Sequence, residues 1–421
     1  LVERLQKRGA VVGSSLNTAY LLERLSQTLE RLETLMAIFV SNRYLPRRIL
    51  LLTGCFARAA AEKHSITRLW KQSSRLISRS ITQNAGDHGE HYITRDKKEF
   101  WAMFYSAAGG GVLIALMALF KIYLGSIIDD KVWKGVAEGL NYGLGFMVIF
   151  MLHFTVATKQ PAMTAARFAE AVEKTPQGKS VNMKLAQLLV DVFRSQSIAV
   201  LGNVLIAMGL AALIAFGYQY KTGEPLMNAD QIAYQLHSID PFAGTLWFAA
   251  IAGVWLFCSG IISGYFDNRS NYLNMRMRLT QHPLLKKLIS EKTRVKFANY
   301  MHENYGSLIG NLCFGMLLGI TGVVGYLTHL PLDIRHVAFS SANVGYIAVS
   351  GQFTYSLLLQ CIGFVLLIGL VNLIVSFSLT LWVALRSLNA EIDSWWPIWH
   401  EVCQIVKKRP LSLFLPVQLD K

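Results

Sequence analysis

Six long apolar stretches constrain this chain more than any other feature of its sequence. They cover about residues 100–120, 136–158, 197–220, 242–266, 306–328 and 354–385. Each has roughly 20 residues or more, which is enough for a helix to cross about 30 Å of hydrocarbon. The runs are continuously apolar rather than alternating, and this favours helices over a barrel. The sequence therefore predicts an all-α, polytopic membrane protein with about six transmembrane helices.

The basic residues are distributed unevenly between these stretches. Of the 41 Lys and Arg residues, 36 lie in the segments 1–99, 159–196, 267–305 and 386–421. Only five lie in the connections 121–135, 221–241 and 329–353. Because cytoplasmic loops are enriched in Lys and Arg, we predict a bacterial inner-membrane protein with both termini in the cytoplasm. Basic segments beside the membrane also predict contacts with anionic lipids.

Residues 1–99 are predicted to form a helical cytoplasmic region. Apolar residues spaced by three and four define a heptad helix at 16–40, namely Leu22, Leu25, Leu29, Leu32, Met36 and Phe39. This helix can pack on another helix of the same chain, bind a cytoplasmic protein or self-associate. We expect an amphipathic helix at 47–81 and a hinge at 84–94 to follow. The transmembrane domain then covers 100–385, and a cytoplasmic tail covers 386–421.

No cofactor and no metal ion is predicted from the sequence. Its five cysteines are far apart and form no C-x-x-C pair, so neither a disulfide framework nor a zinc site is indicated. The segment Asp87 to His91 has ligand-type side chains, but they are crowded into a glycine-bearing loop, which favours a solvated turn. The chain begins at Leu1 rather than Met and carries no signal peptide. We therefore expect a mature fragment or a truncated form.

Polar residues within or beside the spans are the first candidates for function, because placing them in hydrocarbon is costly. His153 and Lys159 belong to the second stretch and its end. We expect His153 to face the helix bundle, as a hydrogen-bonded packing residue or a proton relay, and Lys159 to reach the headgroups or a ligand. Asp267, Asn268 and Arg269 follow the fourth stretch and can either end the helix or position an acidic substrate group.

The connection before the last stretch is the most unusual segment. It combines Asp333, Arg335 and His336 with the small residues Ser340, Ser341, Ala342 and Gly345. Small residues allow close backbone packing, as in a re-entrant segment that is buried by protein. Asp333 and Arg335 can form a structural pair, or Arg335 can capture an anion.

Several polar sequences resemble a family of Gram-negative membrane proteins described as site-specific recombinases. They include Gly89-Glu-His-Tyr-Ile-Thr-Arg95, Leu152-His-Phe-Thr-Val-Ala-Thr-Lys-Gln-Pro-Ala-Met163, Gly264-Tyr-Phe-Asp-Asn-Arg269 and Leu330-Pro-Leu-Asp-Ile-Arg-His336. The resemblance extends over roughly residues 85–400. It implies a bacterial inner-membrane protein with a role in DNA recombination.

The residues that recombinase chemistry requires are not evident in the sequence. Tyrosine recombinases use a His-x-x-Arg pair beside the nucleophile, and this chain contains no such pair. Arg24-Leu-Ser26 has the local form of a serine recombinase motif, but it lies within the heptad helix.

Three functions therefore stand as hypotheses. The first is a non-enzymatic membrane protein that transports or handles a small molecule or lipid. The second is a protein that acts on DNA, for which the 17 basic and nine acidic residues of the 1–99 region allow phosphate contacts. The third is a membrane scaffold that recruits cytoplasmic partners through the heptad helix.

Overall fold

The computed structural model describes residues 93–156, 179–350, 353–388 and 394–416 with few gaps, and scattered residues within 21–57 and 164–172. Every regular element among the described residues is a helix, which confirms the all-α prediction. The chain divides into two compact units. The smaller unit comprises Leu1–Asn84, Gly264–Asn304 and Arg386–Leu388, and the larger unit comprises Ala85–Ser263, Tyr305–Leu385 and Asn389–Lys421.

The longer helices from residue 97 onward are numbered in chain order. They are α1 (Lys97–Ile127), α2 (Lys131–Met151), α3 (Lys179–Thr222), α4 (Ala229–Ile239), α5 (Thr245–Tyr272), α6 (Met275–Gln281), α7 (Pro283–Leu288), α8 (Glu291–Thr328), α9 (Val337–Ala348), α10 (Tyr355–Leu388) and α11 (Trp396–Lys408). Short 3-10 turns lie at Pro241–Ala243 and Pro410–Leu413.

Five of these helices are long and apolar enough to cross a membrane, namely α1, α3, α5, α8 and α10. They correspond to five of the six predicted stretches. The remaining stretch, 136–158, is represented by α2, whose first half carries Lys131, Lys134 and Glu138. This helix ends at Met151, before the predicted end, because the chain turns at His153 with a positive φ of 59°.

The basic connections are built differently from each other. The end of the 159–196 connection is helical and continues into the third span, so that α3 has 44 residues and a length of about 66 Å. The connection within the smaller unit is broken into short helices. α6 ends at Gln281 and α7 begins at Pro283, since proline cannot donate the next helical hydrogen bond.

Glycines bring α2 and α8 into direct backbone contact. A Cβ atom on Gly319 would overlap the backbone of Gly139, and a Cβ atom on Gly135 would overlap a methyl group of Val323. Small residues permit this approach, which gains van der Waals packing between helices in an apolar medium. α2 is thus held against a membrane-spanning helix although it is not itself one of the five candidate spans.

Helix α9 is a short helix that is enclosed by other helices. Ten of its 12 residues are buried, and its length is about 18 Å. A Cβ atom on Gly345 would overlap the carbonyl oxygen of Met208 in α3. On α1, the carbonyl oxygen of Ala115 accepts a 2.8 Å hydrogen bond from the Tyr346 hydroxyl. The segment is therefore buried by protein, as the small residues predict.

Asn372 of α10 holds the chain at the start of α9. Its amide nitrogen donates to the carbonyl oxygens of Ala249 at 2.7 Å and Arg335 at 3.0 Å, and its oxygen accepts from the Val337 nitrogen at 3.1 Å. The Asn372 side chain is fully buried. Three segments that are distant in sequence are therefore joined by one amide.

The end of the predicted hinge is anchored rather than free. Ile93 and Thr94 are buried, and the Thr94 nitrogen donates to the Ser195 hydroxyl at 2.8 Å. The Arg194 guanidinium donates to the Thr94 carbonyl at 2.5 Å and pairs with Asp191 at 2.9 Å. α3 therefore supplies hydrogen-bond partners for the backbone of Thr94. Residues 84–92 lie outside the described part of the chain.

The described part of the heptad helix is helical at positions between Leu21 and Met36. Leu25, Leu29, Leu32 and Met36 are 41–56% exposed, so the described residues do not cover this seam. Phe39, the last seam residue, lies outside the described residues. The predicted helix at 47–81 is described only at scattered positions up to Ala57, and these are helical.

Candidate functional site

A polar cavity of about 510 Å³ lies among the ends of α1, α2 and α4 and the connection that precedes α9. Each of the three lysine- and arginine-poor connections contributes to its wall. Of the five basic residues in those connections, three line the cavity: Lys121, Lys134 and Arg335. Basic residues are scarce in these three connections, and most of those present lie around this cavity.

Lys121 and Glu138 form an ion pair across the cavity wall. The Lys121 nitrogen lies 3.3 Å from a carboxylate oxygen of Glu138, and the side chains are 38% and 13% exposed. The same nitrogen lies 5.7 Å from the centre of the Tyr142 ring, which is itself buried. Two adjacent helices thus place a cation, an acid and an aromatic ring beside one another.

Lys134 is the second lysine of the cavity, and it makes no ion pair with the described residues. Its side chain extends from α2 towards α1, where a Cβ atom on Gly125 would lie 3.1 Å from the Lys134 nitrogen. The residue is half-buried. A half-buried ammonium group beside a cavity attracts a negatively charged group.

Arg335 is held by the protein itself. It pairs with Asp333 at 2.6 Å and donates to the carbonyl oxygens of Ser238 at 2.7 Å and Ile334 at 2.8 Å. Its guanidinium also lies 5.3 Å from the centre of the Phe248 ring. Of the two roles expected for this residue, these contacts support the structural pair with Asp333. Arg335 fixes the shape of the cavity wall.

His336 forms an uncharged part of the wall. Its ring is 1% exposed and lies 5.8–6.2 Å from the ring centres of Phe146, Phe314 and Phe339. Burial among these rings lowers the pKa of His336 to about 4, because an imidazolium loses hydration that aromatic rings do not replace. The ring is therefore neutral at physiological pH.

Helix α4 closes another side of the cavity. It begins with a capping box, in which the Asn228 side chain accepts from the Gln231 nitrogen and the Gln231 side chain accepts from the Asn228 nitrogen. The helix then presents Gln231, Tyr234 and Gln235 to the cavity, and α9 adds Asn343. These amide and hydroxyl groups can donate or accept hydrogen bonds.

The structure brings together three of the eight residues predicted from sequence. Asp333, Arg335 and His336 line the cavity. His153 does not face the helix bundle as expected. It lies in an exposed turn because α2 ends before it, and its carbonyl oxygen accepts a 3.0 Å hydrogen bond from the Ser106 hydroxyl.

The remaining predicted residues lie elsewhere or outside the described residues. Asp267, Asn268 and Arg269 belong to the smaller unit, where α5 continues through all three and the Arg269 side chain lies 3.4 Å from the Tyr265 hydroxyl. They do not line the cavity. Lys159 and the Asp87–His91 cluster lie outside the described residues.

Sequence reasoning missed Lys121, Lys134 and Tyr142. The signal that identifies the two lysines was present, because they are among the few basic residues of the poorly charged connections. No group of three or more His, Cys, Asp and Glu side chains suited to a metal ion occurs among the described residues.

The fold and cavity define a polytopic α-helical membrane protein with a polar pocket. A family model described as Site-specific recombinase matches residues 1–416, and the chain belongs to that family. A comparison with curated proteins and a comparison with solved structures each gave no match.

Proposed function

We propose that this protein binds a small acidic molecule in the polar cavity and transports or handles it at the membrane without chemical conversion. The observation that carries this proposal is the enclosure of Lys134, a half-buried cation without an ion-pair partner among the described residues, in a cavity of about 510 Å³. Cavities of about 300–1,000 Å³ are typical of sites for small ligands.

The charges of the cavity indicate the chemistry of the ligand. Lys121 is paired with Glu138, and Arg335 is paired with Asp333, so these four side chains largely neutralise one another. Two ionic side chains of the wall remain: Asp230, which is exposed at the start of α4, and Lys134, which is half-buried and makes no ion pair with the described residues. A carboxylate or phosphate group of a ligand can pair with it, while the amides and hydroxyls of the cavity wall bind the polar remainder.

The charge distribution of the chain supports access to this cavity from the outer face of the inner membrane. All of its ionic residues come from the connections that the positive-inside rule places outside the cytoplasm, or from the adjoining helix ends. In this orientation, the ligand enters from the periplasm.

Ligand binding can be measured calorimetrically on the full chain in lipid nanodiscs. Inorganic phosphate and succinate serve as acidic probes, and glycerol serves as the neutral reference. We expect at least one acidic probe to bind, and Lys134→Gln to weaken its binding about tenfold or more, because a charge-assisted hydrogen bond contributes roughly 1.5–3 kcal/mol. Uptake of the bound probe into proteoliposomes then distinguishes transport from handling at the surface.

Lys131→Gln is the matched control, since Lys131 is on the same helix but does not line the cavity. Its nitrogen lies 4.4 Å from the centre of the Tyr326 ring. Lys131→Gln should leave probe binding unchanged. The proposal would be contradicted if neither acidic probe binds. It would also be contradicted if Lys134→Gln and the unmodified chain bind the probe equally.

The family description favours a second candidate, which is action on DNA. Exposed basic residues in the Gly264–Asn304 segment provide groups for phosphate contacts, including Arg276, Lys286, Lys287 and Lys292. Binding of the full chain to duplex DNA should then weaken steeply with salt. A preference for one sequence over scrambled DNA, followed by strand cleavage, would support recombination. Salt-dependent binding without sequence preference would indicate only electrostatic attraction between the basic side chains and the DNA phosphate groups.

A further inference from the structure

A second cavity, predominantly apolar, is enclosed by α3, α10 and α11 in the larger unit. Its volume is about 670 Å³. Aliphatic and aromatic side chains from each helix form its wall, among them Leu189, Phe193, Leu373, Phe377, Trp399 and Val402. Such a wall offers dispersion contacts to a hydrocarbon chain but few hydrogen bonds.

Gln196 is the exception in this apolar wall. Its side chain is 1% exposed, and neither its amide nitrogen nor its amide oxygen has a hydrogen-bond partner in the part of the chain that the structure describes. A buried amide without partners costs roughly 1–3 kcal/mol. A ligand that brings a polar group next to its hydrocarbon portion would recover part of this free energy.

Helix α11 has the features of a helix at a membrane surface. It buries Ile398 and Val402, and it exposes Trp396 and Trp399 by 73% and 59%. Tryptophan side chains are enriched where hydrocarbon meets headgroups. The last turn carries Lys407 and Lys408, and Lys407 lines the cavity. Cationic groups in this position attract anionic lipids.

The cavity also adjoins the lipid-facing side of a membrane-spanning helix. Leu370 and Ile374 of α10 line it and are 43% and 53% exposed. Since α10 is the most apolar of the five candidate spans, these residues are surrounded by hydrocarbon in a bilayer. A lipid chain can therefore reach the cavity directly from the membrane.

We propose that one acyl chain of an anionic phospholipid occupies this cavity. Its methylene groups contact the apolar wall, an ester carbonyl accepts a hydrogen bond from the Gln196 amide, and the phosphate group lies on the side of Lys407. This site is separate from the polar cavity and does not depend on the function proposed for it.

The proposal can be tested by photo-crosslinking the full chain in nanodiscs. The probe is phosphatidylglycerol with a diazirine in one acyl chain, and phosphatidylcholine with the same chain is the zwitterionic reference. We expect the phosphatidylglycerol label to concentrate on peptides that contain cavity residues of α3, α10 and α11. Gln196→Leu should reduce this labelling about fivefold, as expected for one hydrogen bond. Lys407→Gln should remove the preference for phosphatidylglycerol.

Two nearby substitutions are matched controls. Gln404 is exposed on α11, where its side chain lies 2.9 Å from the His400 ring, and it does not line the cavity. Gln404→Leu should therefore leave labelling unchanged. Lys408→Gln removes an equally basic neighbour that does not line the cavity, and it should retain the lipid preference.

A stability measurement separates lipid binding from a folding defect. In protein freed of phospholipid, Gln196→Leu should raise the unfolding temperature, because it removes a buried amide without partners. Added phosphatidylglycerol should stabilise the unmodified chain more than the variant. Labels spread evenly over the lipid-facing helices, or equal cavity labelling of Gln196→Leu and the unmodified chain, would overturn the proposal. Equal labelling by both lipids would overturn the assignment of Lys407.

Discussion

Gly143 of α2 and Gly315 of α8 cross so closely that a Cβ atom on Gly315 would overlap the backbone nitrogen of Gly143. The next turn of each helix repeats the arrangement with Gly139 and Gly319. Contact between these backbones fixes where α2 lies, and α2 carries Lys134, Glu138 and Tyr142 into the polar cavity.

Gly319→Ala should therefore destabilise the protein. An alanine usually stabilises a helix by about 1 kcal/mol relative to glycine, but here its methyl group would overlap Gly139, and overpacking typically costs about 1–3 kcal/mol. A lower thermal unfolding temperature in the same detergent checks this prediction. Gly322→Ala, on the same helix, is the control because the nearest atom to its added Cβ is 3.9 Å away. Equal unfolding temperatures for the two variants would contradict the prediction.

Asn372→Ala should also destabilise the protein, by roughly 2–4 kcal/mol. The substitution leaves the Val337 nitrogen and the carbonyl oxygens of Ala249 and Arg335 without the partner described above, and each buried unsatisfied group costs about 1–3 kcal/mol. Asn311→Ala is the matched control. Asn311 is also buried, but its amide donates to the Ser307 carbonyl of its own helix. Chemical unfolding of both variants should show the larger loss for Asn372→Ala.

His336 should make stability depend on pH. Its pKa is about 4 in the folded protein, whereas an unfolded chain has the ordinary value of 6.5. Protons therefore bind first to the unfolded chain, so the stabilisation is complete above about pH 6.5 and is lost as the pH falls towards 4. We expect a loss of about 2 kcal/mol between pH 7.5 and pH 5.

The pH dependence can be assigned to His336 by substitution. His336→Leu should flatten the unfolding temperature between pH 7.5 and pH 5. His153→Leu removes a histidine from an exposed turn and should retain the dependence of the unmodified chain. An unchanged pH dependence in His336→Leu would assign it to other groups.

The orientation in the membrane can be tested with single cysteines. Trp133 is 69% exposed near the start of α2, and His153 is exposed just after its end. If α2 crosses the membrane as the charge distribution predicts, Trp133→Cys should react with a membrane-impermeant maleimide from the periplasm. His153→Cys should react only in inverted vesicles. Labelling of both residues from the same side would contradict a sixth span.

The sequence was sufficient to predict the helical class, five of the spans and the burial of the segment around Gly345. These features follow from local composition, because long apolar runs and clustered small residues have few alternative structures in a membrane. The end of α2 was predicted less well. Apolar residues continue beyond Met151, and only tertiary contacts such as the Ser106 hydrogen bond to His153 reveal that the helix has ended.

The cavity was predicted only in part, since its members come from distant segments. Asp333, Arg335 and His336 were recognisable because they are adjacent in sequence. The pair of Lys121 and Glu138 depends on how α1 packs on α2, which no local pattern specifies. The spacing of Gly135, Gly139 and Gly143 at every fourth residue is the sequence signal that predicts a close helix contact on this face of α2.

The enclosure of α9 sets an order for biogenesis. The helix lies against α1 and α3, which are synthesised before it, but the Val337 nitrogen bonds Asn372 of α10, which is synthesised after it. At about 5–20 residues per second, the ribosome adds the intervening residues only seconds later. The short helix can therefore complete its contacts only after α10 has been synthesised. A nascent chain that ends before α10 lacks the hydrogen bond between Val337 and Asn372.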